Sequence, residues 1–236
     1  MRIGVIDLTQ HPQPLMAGMP RAGEIIAAWL APALPEADFV QHRVADGAPL
    51  PEPDGCDGLI VSGSEKGVYD AVPWMDPLRD LLLTARAAET PVFGICFGHQ
   101  IMADTYGGAA EKSAAGMVIG ARRFESGSGA VPAHVWHQDQ VTRVPPGARV
   151  TAWADYCPIG ALDYPHRAAS VQYHPEYTRA GIDAILDRVT GHFVSEAQVT
   201  AARESMQAAE VAPDLATGQA AALFRGTADS SGGRGA

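Results

Sequence analysis

Short apolar runs that alternate with stretches of helical periodicity constrain this chain more than any other feature. Ile3-Gly4-Val5-Ile6-Asp7-Leu8, Asp57-Gly58-Leu59-Ile60-Val61-Ser62 and Val92-Phe93-Gly94-Ile95 are rich in β-branched residues and too short for helices. Runs of that kind suit strands covered on both faces. Between them, Arg21 to Leu34 repeats Ile25, Ile26, Trp29, Leu30 and Leu34 at intervals of three to five, and Pro77 to Glu89 repeats Leu78, Leu81, Leu82 and Ala85. Each is one apolar stripe on a helix. With a further strand at Asp38-Phe39-Val40, the order strand, helix, strand, strand, helix, strand predicts a parallel sheet with helices on both faces. Beyond Gly107-Gly108 the runs at 118–124, 131–136, 150–154, 159–163 and 169–173 shorten and predict an antiparallel part. A helix follows over 179–193, and Val199, Ala202 and Met206 keep helical register after Ser195.

Composition narrows the classes. A length of 236 residues with 47% hydrophobic content supports one substantial core. A formal charge of -10 repels a duplex phosphate backbone, so nucleic-acid binding is disfavoured. No apolar run reaches the roughly 18 residues of a bilayer span and no cleavable leader is evident, so a soluble, cytoplasmic protein is expected, with no membrane partner. Cys56, Cys96 and Cys157 form no CxxC pair, which predicts neither a disulfide scaffold nor a zinc site.

Chemistry concentrates in Pro91-Val92-Phe93-Gly94-Ile95-Cys96-Phe97-Gly98-His99-Gln100. A buried strand enters a Gly-x-Cys-x-Gly turn and leaves as a helix. Glycines two before and two after the central residue permit a turn tight enough to expose its side chain. At such an elbow Cys96 stands at a helix N-terminus, where a thiolate is favoured, and the Phe97 N–H is placed to hold an oxyanion. The alternative for Cys96 taken alone, less favoured than the elbow, is a buried core cysteine.

A base is available in Ser170-Val171-Gln172-Tyr173-His174-Pro175-Glu176. Residues two apart on an extended backbone share a face, so Glu176 can reach the imidazole of His174, and Pro175 favours that extension. In the resulting assignment Cys96 attacks, His174 moves the proton and Glu176 orients the ring. An isolated His-x-Glu is otherwise a solvated strand end.

Together, GICFGHQ and VQYHPE resemble the class I (triad) glutamine amidotransferases, and the match spans roughly residues 1–193. Ile60-Val61-Ser62-Gly63-Ser64 is similar to the family's glycine-rich oxyanion strand, and Val135-Trp136-His137-Gln138-Asp139-Gln140-Val141 to the SHGDQV segment of GMP synthetase-type domains. The resemblance implies a flavodoxin-like α/β fold: a mostly parallel sheet with helices on both faces, plus a smaller antiparallel sheet. It implies hydrolysis of a γ-glutamyl amide through a thioester on Cys96, with His174 and Glu176 completing a triad. It further implies backbone oxyanion donors at Ser64 and Phe97, and substrate contacts at Gly63, Gln100, Trp136, Gln138 and Asp139. Bland alternatives stand beside these: Gln100 as a polar residue of the first helical turn, and Trp136, Gln138 and Asp139 as strand-end packing. Ser64 departs from the glycine or Gly-Pro usual there, and its Cβ and hydroxyl are expected to crowd the pocket.

The expected organisation is an amidotransferase domain over 1–193, a helical extension over 194–228 and a disordered tail over 229–236. No cofactor or metal is expected, since His134 and His137, three apart on a strand, face opposite ways. Cys56 and Cys157 read as inert thiols, and Arg122-Arg123 as a solvated pair. The chain holds no phosphate loop for ATP activation. Two enzymatic roles follow: a stand-alone hydrolase of γ-glutamyl amides or peptides, favoured because Gly67 to Trp74, Ser64 and the extension resemble the stand-alone branch of the family, or a glutaminase subunit delivering ammonia to a separate synthetase. A catalytically inactive binding protein is disfavoured because all three triad residues are present, and an α/β-hydrolase-type thiol enzyme because its acid would precede the histidine. The oligomeric state is left open by the sequence.

Overall fold

The computed structural model describes residues 1–52, 54–211 and 214–226. The first apolar run forms strand β1 (Arg2–Asp7), and the stripe after it forms α1 (Ala22–Leu30). There follow β2 (Asp38–Arg43), β3 (Gly58–Val61), α2 (Met75–Ala87), β4 (Val92–Ile95) and α3 (Phe97–Thr105). The second half supplies β5 (Ala109–Lys112), β6 (Val118–Ser126), β7 (Gly129–His137), β8 (Asp139–Arg143), β9 (Arg149–Ala154), β10 (Cys157–Asp163) and β11 (Ala168–Val171). Three helices close the described chain: α4 (Arg179–Val189), α5 (Glu196–Ala208) and α6 (Asp214–Arg225).

Nine strands form one sheet among the described residues, in the order β2-β1-β3-β4-β11-β10-β9-β6-β7. The first five run parallel, and the leading order matches the flavodoxin-like arrangement. From β10 onward the pairings are antiparallel. The antiparallel part expected from the sequence is thus mostly a continuation of the main sheet. The separate small sheet is the pair β5–β8, two strands that sequence periodicity does not reveal.

Alternation along the parallel strands sorts the core into two layers. Ile3 and Val5 of β1, Ile60 of β3 and Phe93 and Ile95 of β4 face α1 and α6, while Ile6, Leu59, Val61 and Val92 face α2 and α3. The C-terminal extension is therefore no appendage. Ala216, Ala220, Leu223 and Phe224 of α6 lie in the same cluster as Ile3 and Phe93. Phe224 seats on the bare backbone of Gly58, where an added Cβ would stand 2.6 Å from the ring. Helices α4 and α5 pack instead on Ile119 and Ala121 of β6. Ser195 caps α5 in a reciprocal pair with Gln198.

The tail expected over 229–236 lies outside the described residues. Among those described, no helix is long and apolar enough to cross a membrane. The carboxyl ends of β3, β4 and β11 lie side by side, and the segments that leave them carry Gly63 and Ser64, Cys96, and His174 and Glu176.

Candidate active site

Strand β4 breaks into α3 at Cys96, whose backbone adopts φ 54° and ψ -103°. A side chain held at positive φ is strained, and such strain persists only where the surroundings enforce it. Here they do. The Cys96 N–H is tied to the Val171 carbonyl at 2.8 Å, and the Gly98 N–H to the Ser62 carbonyl at 3.1 Å. Both flanking glycines are obligatory for this approach. A Cβ on Gly94 would stand 2.7 Å from the Gly98 backbone, and one on Gly98 would run into the Val61 carbonyl oxygen.

The Cys96 sulfur is 3.7 Å from the Trp136 carbonyl oxygen and 3.7 Å from Gln172 Nε2. His174, just past β11, closes the group. Its Nδ1 lies 2.7 Å from Glu176 Oε1, with both side chains almost wholly buried. Burial alone would lower its proton affinity, but the Glu176 carboxylate and then the Cys96 thiol outweigh that, leaving it well above the usual imidazole range, at about 10. Nε2 has no formed hydrogen bond. Cys96 is near enough to raise the proton affinity of the imidazole. Gly63 keeps that space open, since a Cβ there would meet His174 Cε1 at 3.3 Å and Cys96 Cβ at 3.7 Å.

The Ser64 hydroxyl, expected to crowd the pocket, is engaged elsewhere, donating to the Leu8 carbonyl at 2.9 Å and accepting from the Lys66 N–H at 3.2 Å. Among the described residues the Ser64 N–H has no backbone partner, and Phe97 opens α3, where an N–H has no partner within its own helix.

The expected substrate contacts are partly engaged within the chain. Gln100 is buried, and its amide donates to the Asp139 carbonyl at 2.9 Å and to Gln172 Oε1 at 3.2 Å. The Asp139 carbonyl also faces His137 Nδ1 at 3.0 Å, and its carboxylate accepts the Tyr69 hydroxyl at 2.8 Å. The Gln138 carbonyl accepts the Ser113 N–H. Trp136 alone of that segment presents a backbone oxygen to the sulfur. Burial lowers His137 to about 4, so the ring is neutral, with its proton on Nδ1 toward Asp139 and Nε2 facing the Tyr156 hydroxyl at 3.3 Å. His99 is neutral as well, lowered by burial to about 3 and bridging Ser170 and the Ile159 carbonyl.

Among the described residues, no cluster of His, Cys, Asp and Glu is arranged to hold a metal. His134 bonds the Tyr177 carbonyl through Nδ1, a different partner from that of His137. Cys157 is buried and pushed up to about 12 by burial, and Cys56 is raised for the same reason. Arg123 pairs with Glu125 on the surface.

Gln172, Tyr177 and His134 also touch Cys96, Gln100 or the His174 turn, though the sequence reading assigned them no role there. One signal was available: Ser170, Gln172, His174 and Glu176 alternate with Val171, Tyr173 and Pro175. A polar residue at every second position of a fully buried strand has to be spent on buried partners.

The sequence profile described as "Glutamine amidotransferase class-I" matches residues 36–186. A GMP synthase [glutamine-hydrolyzing] from Parafrankia sp. (strain EAN1pec) is 31% identical over 194 residues, covering 77% of this chain and 33% of that protein. Gamma-glutamyl peptidase 5 of Arabidopsis thaliana is 29% identical over 150 residues, covering 58% of this chain and 60% of the peptidase. The chain thus spans about a third of the first relative and three fifths of the second. The fold resembles that of a glutamine amidotransferase from Thermotoga maritima, with a TM-score of 0.76 at 18% identity over 97% of this chain and 98% of the other. A glutamine amido transferase from Methylobacillus flagellatus gives a TM-score of 0.75 at 20% identity over 99% and 98%.

Proposed function

The chain belongs to the class-I glutamine amidotransferase family, and on that premise we propose that it hydrolyses a γ-glutamyl amide as a stand-alone enzyme, with Cys96, His174 and Glu176 as its triad. The single observation that carries this reading is the strained elbow at Cys96 beside a buried, Glu176-paired imidazole.

In the proposed cycle His174 already carries the Cys96 proton on Nε2 when the sulfur attacks the γ-carbonyl carbon. The carbonyl oxygen becomes an oxyanion, held by the N–H groups of Phe97 and Ser64. The imidazolium, stabilised by Glu176, gives its proton to the leaving nitrogen. The C–N bond breaks, ammonia or an amine departs and a γ-glutamyl thioester remains. A water, deprotonated by His174, attacks the same carbon, the C–S bond breaks, and the sulfur is released beside the restored imidazolium as glutamate leaves. Gly63 and the Trp136 carbonyl line the bound amide, with Gln100, Gln138 and Asp139 shaping its far end.

Similarity to γ-glutamyl peptidases over 60–70% of their length supports hydrolysis of γ-glutamyl peptides or glutamine. The GMP synthase relatives favour a second reading, in which the chain releases ammonia to a synthetase partner. Assay of the purified chain with glutamine and with a γ-glutamyl dipeptide, measuring glutamate, ammonia and amine, separates the two. Sustained turnover of the dipeptide supports the first. Negligible turnover of both until a synthetase is added supports the second.

A further inference from the structure

The turn that carries the base and its carboxylate is gripped from outside by two residues that the proposed cycle does not use. The His134 carbonyl, on β7, accepts the His174 N–H at 2.8 Å, and His134 Nδ1 lies 2.9 Å from the Tyr177 carbonyl. The Tyr177 N–H returns to the His174 carbonyl at 3.3 Å, closing the turn. One residue of a neighbouring strand thus fastens both ends of the four-residue segment His174–Tyr177, through its backbone at one end and its ring at the other. The Tyr177 ring then lies flat on the His174 ring, with centroids 4.3 Å apart and planes 4° from parallel.

Face-to-face stacking is a poor arrangement for two neutral aromatic rings, whose quadrupoles repel. It becomes favourable when one ring is cationic and the other presents its electron-rich face. The observed stack therefore suits an imidazolium better than an imidazole. The groups that face His174 agree with this. Glu176 from the same turn and Cys96 from the start of α3 both favour the charge, while His134 and His137 of β7 are held uncharged by burial and add no competing cation near neutral pH.

We propose that His134 and Tyr177 are positioning residues for His174: His134 fixes the turn so that Nε2 points at the Cys96 sulfur, and the Tyr177 ring face stabilises the imidazolium. The kinetic consequence rests on the hydrolase reading above, but the effect on His174 itself does not. Tyr177 acts through charge and His134 through geometry, so their signatures differ. Loss of a cation–π contact in a desolvated site moves the titration by about one pH unit, and loss of one buried hydrogen bond slows kcat by about three- to tenfold.

The test measures His174 titration by imidazole ¹H–¹⁵N NMR on the full chain, together with the pH profile of γ-glutamyl amide hydrolysis. Tyr177→Leu should lower the His174 titration and the alkaline limb of the profile by about one unit, and Tyr177→Phe should restore both. His134→Ala should cut kcat about three- to tenfold at unchanged KM and unchanged titration, with His134→Asn, which keeps a donor near Nδ1, recovering the loss. Circular dichroism melting establishes that each variant is folded, and Tyr177→Met or His134→Leu replaces one that is not. A folded Tyr177→Leu or Tyr177→Met that titrates like the parent overturns the role of the ring. A His134→Asn no better than His134→Ala, or no better than His134→Leu if that replaces it, overturns the clamp. A wild-type chain inactive on every γ-glutamyl compound sinks the hydrolase reading alone, because the NMR comparison still decides the Tyr177 role.

Discussion

Replacing Glu176 with Gln tests the division of labour in the proposed triad, because it removes a charge while keeping shape and a hydrogen-bond acceptor. In the native site the carboxylate is 2.7 Å from His174 Nδ1, and both groups are almost fully buried. Taking the charge centres as about 4 Å apart at an effective dielectric constant of about 20, the carboxylate stabilises the imidazolium by about 4 kcal/mol. At 1.36 kcal/mol per pH unit, its loss lowers the His174 pKa by about three units. A group held at about 10 in the native protein would then titrate near neutrality. The same free energy bounds the loss of rate at neutral pH to a factor of about 10³. His174→Ala should cost more, since nothing is left to protonate the leaving nitrogen. The assay is the pH profile of ammonia or amine release for wild type, Glu176→Gln and His174→Ala. An alkaline limb that stays in place in folded Glu176→Gln, or equal losses in the two variants, refutes the reasoning.

Acid should destabilise the fold over a defined window. His137 and His99 are uncharged in the folded chain, with values of about 4 and about 3 against about 6.5 when unfolded. Below about pH 6.5 the unfolded chain binds more protons, so stability falls with falling pH until about 4 and 3 are passed, at about 1.4 kcal/mol per unit from each histidine. His174 runs the other way: its contribution is complete below about 6.5 and is lost as pH rises towards 10. Urea midpoints at pH 7 and pH 5 measure the acid slope, and His137→Gln should make it shallower. Phe224→Ala should destabilise by about 3–5 kcal/mol, because Phe224 is 5% exposed and fills the space above Gly58. A urea midpoint within error of the parent would show that α6 is not part of the main core.

The elements legible in the sequence are those whose signal is local. Val92 to Ile95 followed by Gly94-x-Cys96-x-Gly98 announces strand, elbow and helix, because no other backbone brings Gly94 and Gly98 so close to their neighbours. His174 and Glu176 were legible for a similar reason, since two positions on extended backbone suffice to bring them together. The resemblance implied a smaller antiparallel sheet, but local pattern does not reveal which strands form it. Ala109 to Lys112 has weak strand propensity, and Asp139 to Arg143 reads as a motif rather than as a strand. Periodicity does not encode pairing partners, so nothing local announced that β6, β7, β9 and β10 extend the main sheet. Helix α6 packs through alanines at 216, 220 and 221, whose small hydrophobicity leaves a faint stripe. The contact of His134 with the His174 turn is not legible because it joins β7 to a segment about forty residues on, and the direction of the Ser64 hydroxyl is not legible because it depends on Leu8.

Trapping the covalent intermediate tests the central claim most directly. The chain is mixed with a γ-glutamyl amide, quenched in acid within one turnover, digested and weighed by mass spectrometry. The peptide containing Cys96 should gain one γ-glutamyl group, labile to hydroxylamine, and Cys96→Ala should gain none. Turnover with no adduct on Cys96, or undiminished turnover by folded Cys96→Ala, would contradict the proposed mechanism.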